Sequence, residues 1–331
     1  MAEKLVSVVI PVRNGEAHLA STLEAVIGQD YGSIEIIVVD DASTDSTGRI
    51  ARKVLEAGGR SFKLITNAEC LGVSAARNRG LNEAGGFYVW FCDGDDMPGK
   101  TFVSSLLAEA EARDADAVFC SIKHYYEDDG TFKDELIPKV ASLDPEKYLE
   151  AWADGIISFC SVWNFLFRRD FLVREKLRFV RGCIYGEDTE FVLKAIAAAS
   201  RVSSVSEMLY TYVYHCGQTT KKHKESEMFR SLVGARLRAC SFVAKHTSSR
   251  KVRNFAVNYC VPDILVKSFT KAAQDGDEER YGRLVRSLKN RKMRGLLLSS
   301  AKYVLKVPEL FFKAALIIIA PSLYFSLRRK K

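Results

Sequence analysis

The chain reads as an α/β protein with a mostly parallel, doubly wound sheet, helices on both of its faces, and a C-terminal helical extension. Three observations predict this. Strand-like and helix-like stretches alternate four times before residue 96, the pattern of parallel strands joined by helical crossovers. Two of the strand-like runs end in clustered carboxylates, at Asp40-Asp41 and at Asp93-Gly94-Asp95-Asp96. From about Ser226 the apolar residues switch to three- and four-residue spacing, the period of amphipathic helices.

Taken in order, Val6-Ser7-Val8-Val9-Ile10 predicts the first strand, which runs out at Pro11-Val12-Arg13-Asn14-Gly15. Leu19, Leu23, Val26 and Ile27 share one helical face and predict the first helix. Ile34 to Val39 is apolar and β-branched apart from Glu35, and predicts the second strand. Ser43, Thr44, Asp45, Ser46 and Thr47 supply capping residues for a helix over Arg49 to Ala57. A short strand follows at Lys63 to Thr66, and a helix at Val73 to Glu83. Tyr88 to Cys92 lies between Gly85-Gly86 and Asp93-Gly94, as a buried strand stopping in a turn does. Further on, Phe229, Leu232, Val233, Leu237, Cys240 and Val243 mark a helix. Pro262 predicts a kink in the helical run carrying Phe255, Val257, Ile264, Leu265 and Phe269.

In open α/β sheets ligands bind outside the carboxyl ends of the strands. Both acidic clusters fall at such ends. Carboxylates this crowded repel one another unless a cation sits among them, and an all-oxygen set suits Mg²⁺ or Mn²⁺. Two acidic turns on one sheet edge therefore predict a shared metal and nucleotide site rather than two solvated turns.

Val6 to Gly15, Ile36-Ile37-Val38-Val39-Asp40-Asp41-Ala42-Ser43-Thr44-Asp45, Gly72-Val73-Ser74-Ala75-Ala76-Arg77-Asn78-Arg79-Gly80 and Phe91 to Asp96 occur in that order. Tyr185-Gly186-Glu187-Asp188-Thr189-Glu190-Phe191 comes later. This succession resembles the motifs of family-2 inverting glycosyltransferases with the GT-A fold, over roughly Leu5 to Thr220. The resemblance implies a catalytic domain over 1–220, with a nucleotide-sugar half (1–120) and an acceptor half (121–220), followed by a helical region over 221–331. It implies that Pro11 and Arg13 flank the base of the donor, and that Asp41 or its neighbour Asp40 accepts a hydrogen bond from it. Asp93 would touch the ribose, Asp95 with the adjacent Asp96 would hold the metal, and Asp188 would be the catalytic base. Arg13 stands where the family often has Tyr; a guanidinium can also lie on a base. UDP is the nucleotide the family uses most.

Breaking the bond between a sugar's anomeric carbon and a diphosphate leaves charge that a divalent cation neutralises. On the opposite face of the sugar, a carboxylate must take the acceptor hydroxyl's proton, which typically contributes about 10²–10⁴-fold. One base and direct displacement give inversion. Glu187 beside Asp188 raises the base's pKa by like-charge proximity, while both acids also suit the start of a helix. Arg77 and Arg79 open a helix after a glycine turn, so they reach phosphate or base edges or else form a solvated face. Trp163 lies in an apolar run and reads as core. Arg168 and Arg169 meet an acceptor phosphate or simply lie at the surface. His215, after Tyr210 to Tyr214, is either structural or a group that touches the diphosphate or completes the metal shell.

The eight cysteines are scattered without a C-x-x-C pair, as reduced buried thiols would be, and no apolar leader precedes the first strand. Both features point to the cytoplasm. The net charge of +8 belongs to the tail: Tyr281 to Lys331 holds 13 Lys/Arg and one acid, Glu309, while the remainder sums to −4. Ala314 to Leu327 has 14 uncharged residues interrupted by Pro321, too few to span a bilayer, and Arg328-Arg329-Lys330-Lys331 follows. Lys302, Lys306 and Lys313 recur among apolar residues ahead of it. Such a segment predicts peripheral attachment to the anionic inner face of the cell membrane, or else a helix packed on the protein.

The expected partners are a nucleotide-sugar donor, a saccharide acceptor carried on a lipid, and the membrane surface. Nucleic acid is excluded because the basic residues sit in an apolar tail. The Gln-x-x-Arg-Trp motif of processive synthases is absent, which implies one sugar added per acceptor in surface polysaccharide synthesis. A non-catalytic nucleotide-sugar-binding scaffold is the alternative; a base at Asp188 separates the two. A nucleotidyltransferase or a dinucleotide-dependent dehydrogenase lacks support, because no glycine-rich phosphate loop follows the first strand.

Overall fold

A computed structural model describes residues 3–138, 140–159, 161–217, 225–303 and 307–329. Cys160, the Gln218-Thr219-Thr220 end of the anticipated catalytic domain, and Lys306, Lys330 and Lys331 lie outside the described residues, as does the side chain of Lys302. The chain forms two compact units, residues 1–223 and 224–331.

The first unit begins with β1 (Val6–Val12), α1 (Leu19–Ile27), β2 (Ile34–Asp40), α2 (Thr47–Ala57), β3 (Ser61–Thr66), α3 (Val73–Glu83) and β4 (Tyr88–Phe91). These strands lie in the order β3-β2-β1-β4, all parallel. Every residue of β1, β2 and β4 is buried, as expected for parallel strands covered on both faces. β3 is the edge, and each of its residues is partly buried or exposed. Two glycines permit close approaches. A Cβ on Gly86 would fall 2.7 Å from the Ser7 nitrogen and 2.8 Å from the Leu5 oxygen, and one on Gly80 of α3 would collide with Val9 of β1.

The second half of this unit comprises β5 (Met97–Pro98), α4 (Phe102–Arg113), β6 (Ala117–Tyr126), β7 (Thr131–Glu135), α5 (Pro145–Ala153), β8 (Phe165–Arg168), α6 (Arg169–Arg174), α7 (Glu187–Ala198) and β9 (Val202–Tyr214). The same sheet continues as β4-β8-β6-β9-β5, with β7 on β6. Here the pairings are mixed: β8 is antiparallel to both neighbours, β6 and β9 are parallel, and β5 runs antiparallel to β9. One continuous sheet thus passes through both halves anticipated from the sequence. The two-residue β5 matters most for the site. Its register, Met97 opposite Thr211, brings the acidic turn before it alongside the end of β9.

Trp163 is core: its ring stacks on Tyr210 at 4.4 Å, and its carbonyl accepts the indole N–H of Trp90 at 2.8 Å. Arg168 and Arg169 pair with acids of their own surroundings, Asp114, Asp116 and Asp170.

The second unit is helical: α8 (Glu225–His246), α9 (Arg250–Phe255), α10 (Val261–Gln274), α11 (Glu278–Ser287), α12 (Arg291–Leu298), α13 (Pro308–Ile319) and α14 (Pro321–Arg328). The kink expected at Pro262 takes the form of a π-helical turn, Ala256–Cys260, between α9 and α10. Proline has no N–H and crowds the carbonyl one turn earlier, and a widened turn accommodates both defects. Pro321 separates α13 from α14 as expected. Leu310, Ala314 and Ile317 bury one face of α13, and Tyr281 donates a hydrogen bond to the Pro321 carbonyl at 2.6 Å. Phe312, Ile319, Leu323 and Leu327 remain exposed. Among the described residues, no helix is long and apolar enough to cross a membrane.

Candidate active site

The carboxyl ends of β1, β2 and β4 carry the first part of the site. Near the end of β1, Pro11 is buried against Val39 of β2, and Arg13 emerges just past the strand, exposed. The loop after β1 is laced to the loop after β2: the Asn14 amide donates to Ser43 Oγ, the Gly15 amide to Thr47 Oγ1, and the Ser46 amide to Glu16 Oε2. The two loops therefore form one rigid rim.

Asp40 and Asp41 are both buried, and the geometry separates their tasks. Asp40 accepts the Ser43 amide at 2.9 Å, forming the turn that leads into α2. Asp41 accepts four bonds: Asn67 Nδ2 at 2.6 Å, the Leu71 amide at 2.9 Å, the Gly72 amide at 2.7 Å and the Cys70 thiol at 3.3 Å. Four donors fill the acceptor sites of a carboxylate. The same bonds hold its pKa below the ordinary value, against burial that works to raise it. Asp41, anticipated as a partner of the base, thus anchors the 67–72 loop. Arg79 extends this network, with its guanidinium on Asn67 Oδ1.

Arg77 departs furthest from expectation. It does not reach outward toward a donor. Its side chain is 2 % exposed, and its guanidinium touches Asp188 at 2.5 Å, Asp93 at 2.7 Å and Glu187 at 3.4 Å. The reason is helical geometry. Ser74, Arg77 and Asn78 share one face of α3 at three- and four-residue spacing. Ser74 Oγ donates to the Cys183 carbonyl at 3.1 Å, and Asn78 exchanges bonds with both the amide and the carbonyl of Phe179. That face of α3 grips the segment leading into α7, and Arg77 meets the first two residues of α7. Gly186, at φ 85°, turns the chain into α7 where a side chain would be strained.

One guanidinium thus faces three carboxylates in a buried setting, so the cluster does not stay fully ionised. Burial pushes Asp188 up to about 8; Arg77 opposes this, while Glu187 and Asp93 add to it. Burial raises Glu187 as well, again against the pull of Arg77. The like-charge effect expected between the adjacent acids is present but second to burial.

Asp95 and Asp96 diverge. Asp96 is 1 % exposed and faces inward: it accepts Tyr210 Oη at 2.9 Å and the Val213 amide at 2.9 Å. Burial, then Asp95 and Asp93, push its pKa well above the ordinary range. Anticipated as a metal ligand, Asp96 instead ties the acidic turn to β9. Asp95 is the partly exposed neighbour, and its Oδ2 lies 3.0 Å from Nε2 of the buried His215. Adjacent ligands on an octahedral ion with bonds of about 2.1 Å lie about 3.0 Å apart. An oxygen and a nitrogen at this spacing therefore fit a divalent cation, and a nitrogen donor suits Mn²⁺ better than Mg²⁺. The Gly217 amide donates to Nδ1 of His215 at 3.1 Å. Coordination through Nε2 would move the ring proton to Nδ1 and turn that amide away.

Tyr210 was not singled out in the sequence. Its hydroxyl bridges Asp96 and the Asp93 amide, the latter at 3.3 Å. The alternation of Tyr210, Tyr212 and Tyr214 along one strand face was the available signal. His18 and Glu127 were also missed; both stand beside His215.

Comparison with known proteins places these features in context. The profile described as "Glycosyl transferase family 2" matches residues 7–174. EpsJ of Bacillus subtilis (strain 168), named "Uncharacterized glycosyltransferase EpsJ", is 31% identical over 210 residues, which is 63% of this chain and 60% of that protein. EpsH of the same organism, named "Putative glycosyltransferase EpsH", is 32% identical over 234 residues, 70% of this chain and 67% of that protein. The chain thus spans about three fifths to two thirds of the length of these relatives. WfaP of Escherichia coli, named a UDP-Glc:α-D-GlcNAc-diphosphoundecaprenol β-1,3-glucosyltransferase, is 36% identical over 143 residues, 43% of this chain and 53% of that protein. Among solved structures, Staphylococcus aureus TarS 1–349 with UDP-GlcNAc superposes with a TM-score of 0.70 at 17% identity, covering 96% of this chain and 92% of that one. A mannosyltransferase from Pyrobaculum calidifontis with GDP-Man and Mn²⁺ gives 0.54 at 17% identity, over 97% and 88% of the two chains. At this identity both structures speak to the fold, which is the GT-A fold.

Proposed function

The chain belongs to glycosyl transferase family 2, and from that premise we propose that it is a glycosyltransferase that transfers one sugar, with inversion, from a UDP-sugar to a hydroxyl of a lipid-linked saccharide. The observation that carries this reading is the Arg77 cluster. It joins Asp93, on the donor side of the sheet edge, to Asp188, a carboxyl with its pKa raised to about 8.

Asp188 takes the acceptor proton. An acceptor oxygen attacks the anomeric carbon as its O–H bond breaks and the proton passes to the Asp188 carboxylate, and the bond to the diphosphate breaks on the far side. A general base works best with a pKa near the working pH, and burial supplies that shift here. Arg77 orients Asp188 and Asp93 relative to each other. Asp95 and His215 are the residues that would hold a divalent cation, which when bound offsets the charge gathering on the diphosphate. Asp96 and Tyr210 keep that turn in place. Arg13 and the β1–β2 rim are left to meet the base.

UDP is favoured because the TarS complex and the WfaP name both carry it. WfaP's diphosphoundecaprenol acceptor supports a lipid-linked saccharide, and thereby a role in surface polysaccharide synthesis. Two features of the chain fit work at the inner face of the membrane: the exposed apolar residues of α13 and α14, and their basic flanks.

The test is release of nucleoside diphosphate from a panel of donors with Mn²⁺, Mg²⁺ or EDTA. The expected result is release from one UDP-sugar that needs metal and is lost in Asp95→Ala. If no donor is hydrolysed or bound in the presence of metal and of undecaprenyl-diphosphate saccharides, the proposal is wrong.

A further inference from the structure

His215 has neighbours that the proposed transfer leaves unused. Its ring lies 4.2 Å from that of His18, tilted by 40°. His18 Nδ1 is 3.9 Å from Glu127 Oε1. One ligand atom from each of His18, Glu127 and His215 falls within 4.8 Å of the others. The three positions come from separate, fixed parts of the sheet edge. His18 immediately precedes α1 and closes the laced loop after β1. Glu127 follows β6, where its amide donates to the Tyr214 carbonyl at 3.0 Å. His215 follows β9, which pairs with β6 through Tyr126 and Tyr214.

We propose that His18, Glu127 and His215 form a second divalent-cation site, selective for Zn²⁺-like ions over Mg²⁺, whose occupation denies His215 to a cation at Asp95. Two imidazoles and one carboxylate are a zinc donor set; Mg²⁺ wants oxygen. Ligands on a tetrahedral ion with bonds of about 2.1 Å lie about 3.4 Å apart, so a site whose ligand atoms lie within 4.8 Å of one another closes by at most about 1.4 Å at its widest pair. Glu127 can supply that movement, because its side chain is 44% exposed and it lies just past the end of β6. His215 is 5% exposed and stays put. A neutral imidazole has one lone pair free for a metal, so His215 serves one ion at a time. Affinity for such nitrogen sites rises from Mn²⁺ to Zn²⁺, so Zn²⁺ competes successfully for it. The proposed consequence is inhibition by Zn²⁺, and that consequence rests on the metal role given to Asp95 and His215; the site itself does not.

Calorimetric titration of the full chain with ZnCl₂ under excess Mg²⁺ tests the site. We expect one Zn²⁺ equivalent bound, with affinity falling at least tenfold in His18→Gln and Glu127→Gln and kept in Asp95→Asn. Melting temperatures of these variants without zinc should match the parent, separating lost ligands from lost fold. Equal zinc affinity in the parent and both variants would overturn the proposal. So would a thiolate charge-transfer band on Co²⁺ substitution, which would assign the metal to a cysteine such as Cys70 or Cys216, the exposed cysteines among the described residues. In the donor-release assay, Zn²⁺ should cut the parent's rate at least fivefold and leave His18→Gln nearly unaffected. Zinc binding by a chain that neither binds nor hydrolyses any donor, with metal and acceptor saccharides present, would leave the site standing and remove the proposed transfer.

Discussion

Arg77 holds its charge where water does not reach it, and its partners determine the effect of altering it. Removing one side of a buried ion pair typically costs about 3–5 kcal/mol. Arg77→Ala should therefore lower the melting temperature strongly, because three carboxylates are left facing one another. Arg77→Lys keeps the charge but not the two-pronged guanidinium. With one contact gone, the counter-charge on Asp188 weakens, so the base's pKa should move up from about 8. The rising limb of kcat/KM against pH, expected near 8 in the parent, should shift to higher pH in Arg77→Lys. A merely structural role would lower the whole profile without moving it.

Asp188→Asn should reduce transfer about 10²–10⁴-fold, the usual contribution of a general base. Its stability should change in the opposite sense. The folded pKa of Asp188 is raised above the ordinary 3.8, so the folded state binds a proton that the unfolded chain releases. Stability is then highest in acid and falls as pH rises from about 4 to about 8. Asparagine cannot ionise, so Asp188→Asn should lose that slope and melt at or above the parent at pH 8. Differential scanning fluorimetry between pH 5 and 8 checks this; a clear drop at pH 8 would count against the buried carboxyl being the strained member.

At the scale of elements, α3 connects the two halves of the candidate site. It lies on β1 through Gly80 and grips the segment before α7 through Ser74, Arg77 and Asn78. Gly80→Ala places a methyl into Val9, and overpacking of this kind costs about 1–3 kcal/mol. Val9→Ala in the same chain removes the obstructing methyl and should restore part of the loss, a positive coupling readable in a double-mutant cycle of denaturation midpoints. If Gly80→Ala were silent, the helix would not be seated on the strand as described. The existence of α3, from Val73 to Glu83, was legible in the sequence, as were β1, β2 and β4. Its direction of use was not. Spacing says that positions 74, 77 and 78 share a face, but not what that face meets, because its partner lies about 100 residues further on.

At the scale of the whole molecule, α13 and α14 bear on an alternative that the sequence left open. Leu310, Ala314 and Ile317 pack inside their own unit, while Phe312, Ile319, Leu323 and Leu327 stay exposed. Each such side chain is worth about 1.5–3 kcal/mol when buried, and each nearby Lys or Arg adds about 1 kcal/mol at an anionic surface. The full chain should float with vesicles containing phosphatidylglycerol and less so with neutral ones or at high salt. Phe312→Glu with Ile319→Glu should abolish flotation without changing donor release. Full recovery of the unaltered chain in the lipid-free fraction would refute attachment through this ridge.

The sequence by itself determined the parallel half of the sheet, the positions of its acidic ends, the break at Pro321 and the family. These are local matters: periodicity, β-branching, proline and short motifs act within a few residues of themselves. Tertiary structure alone decided which acids face each other. It sent Arg77 to Asp188, turned Asp96 inward to Tyr210, filled Asp41 with the 67–72 loop and set Asp95 beside His215. Adjacent carboxylates look alike in a sequence, and what separates them is burial and the partner that folding brings from far along the chain.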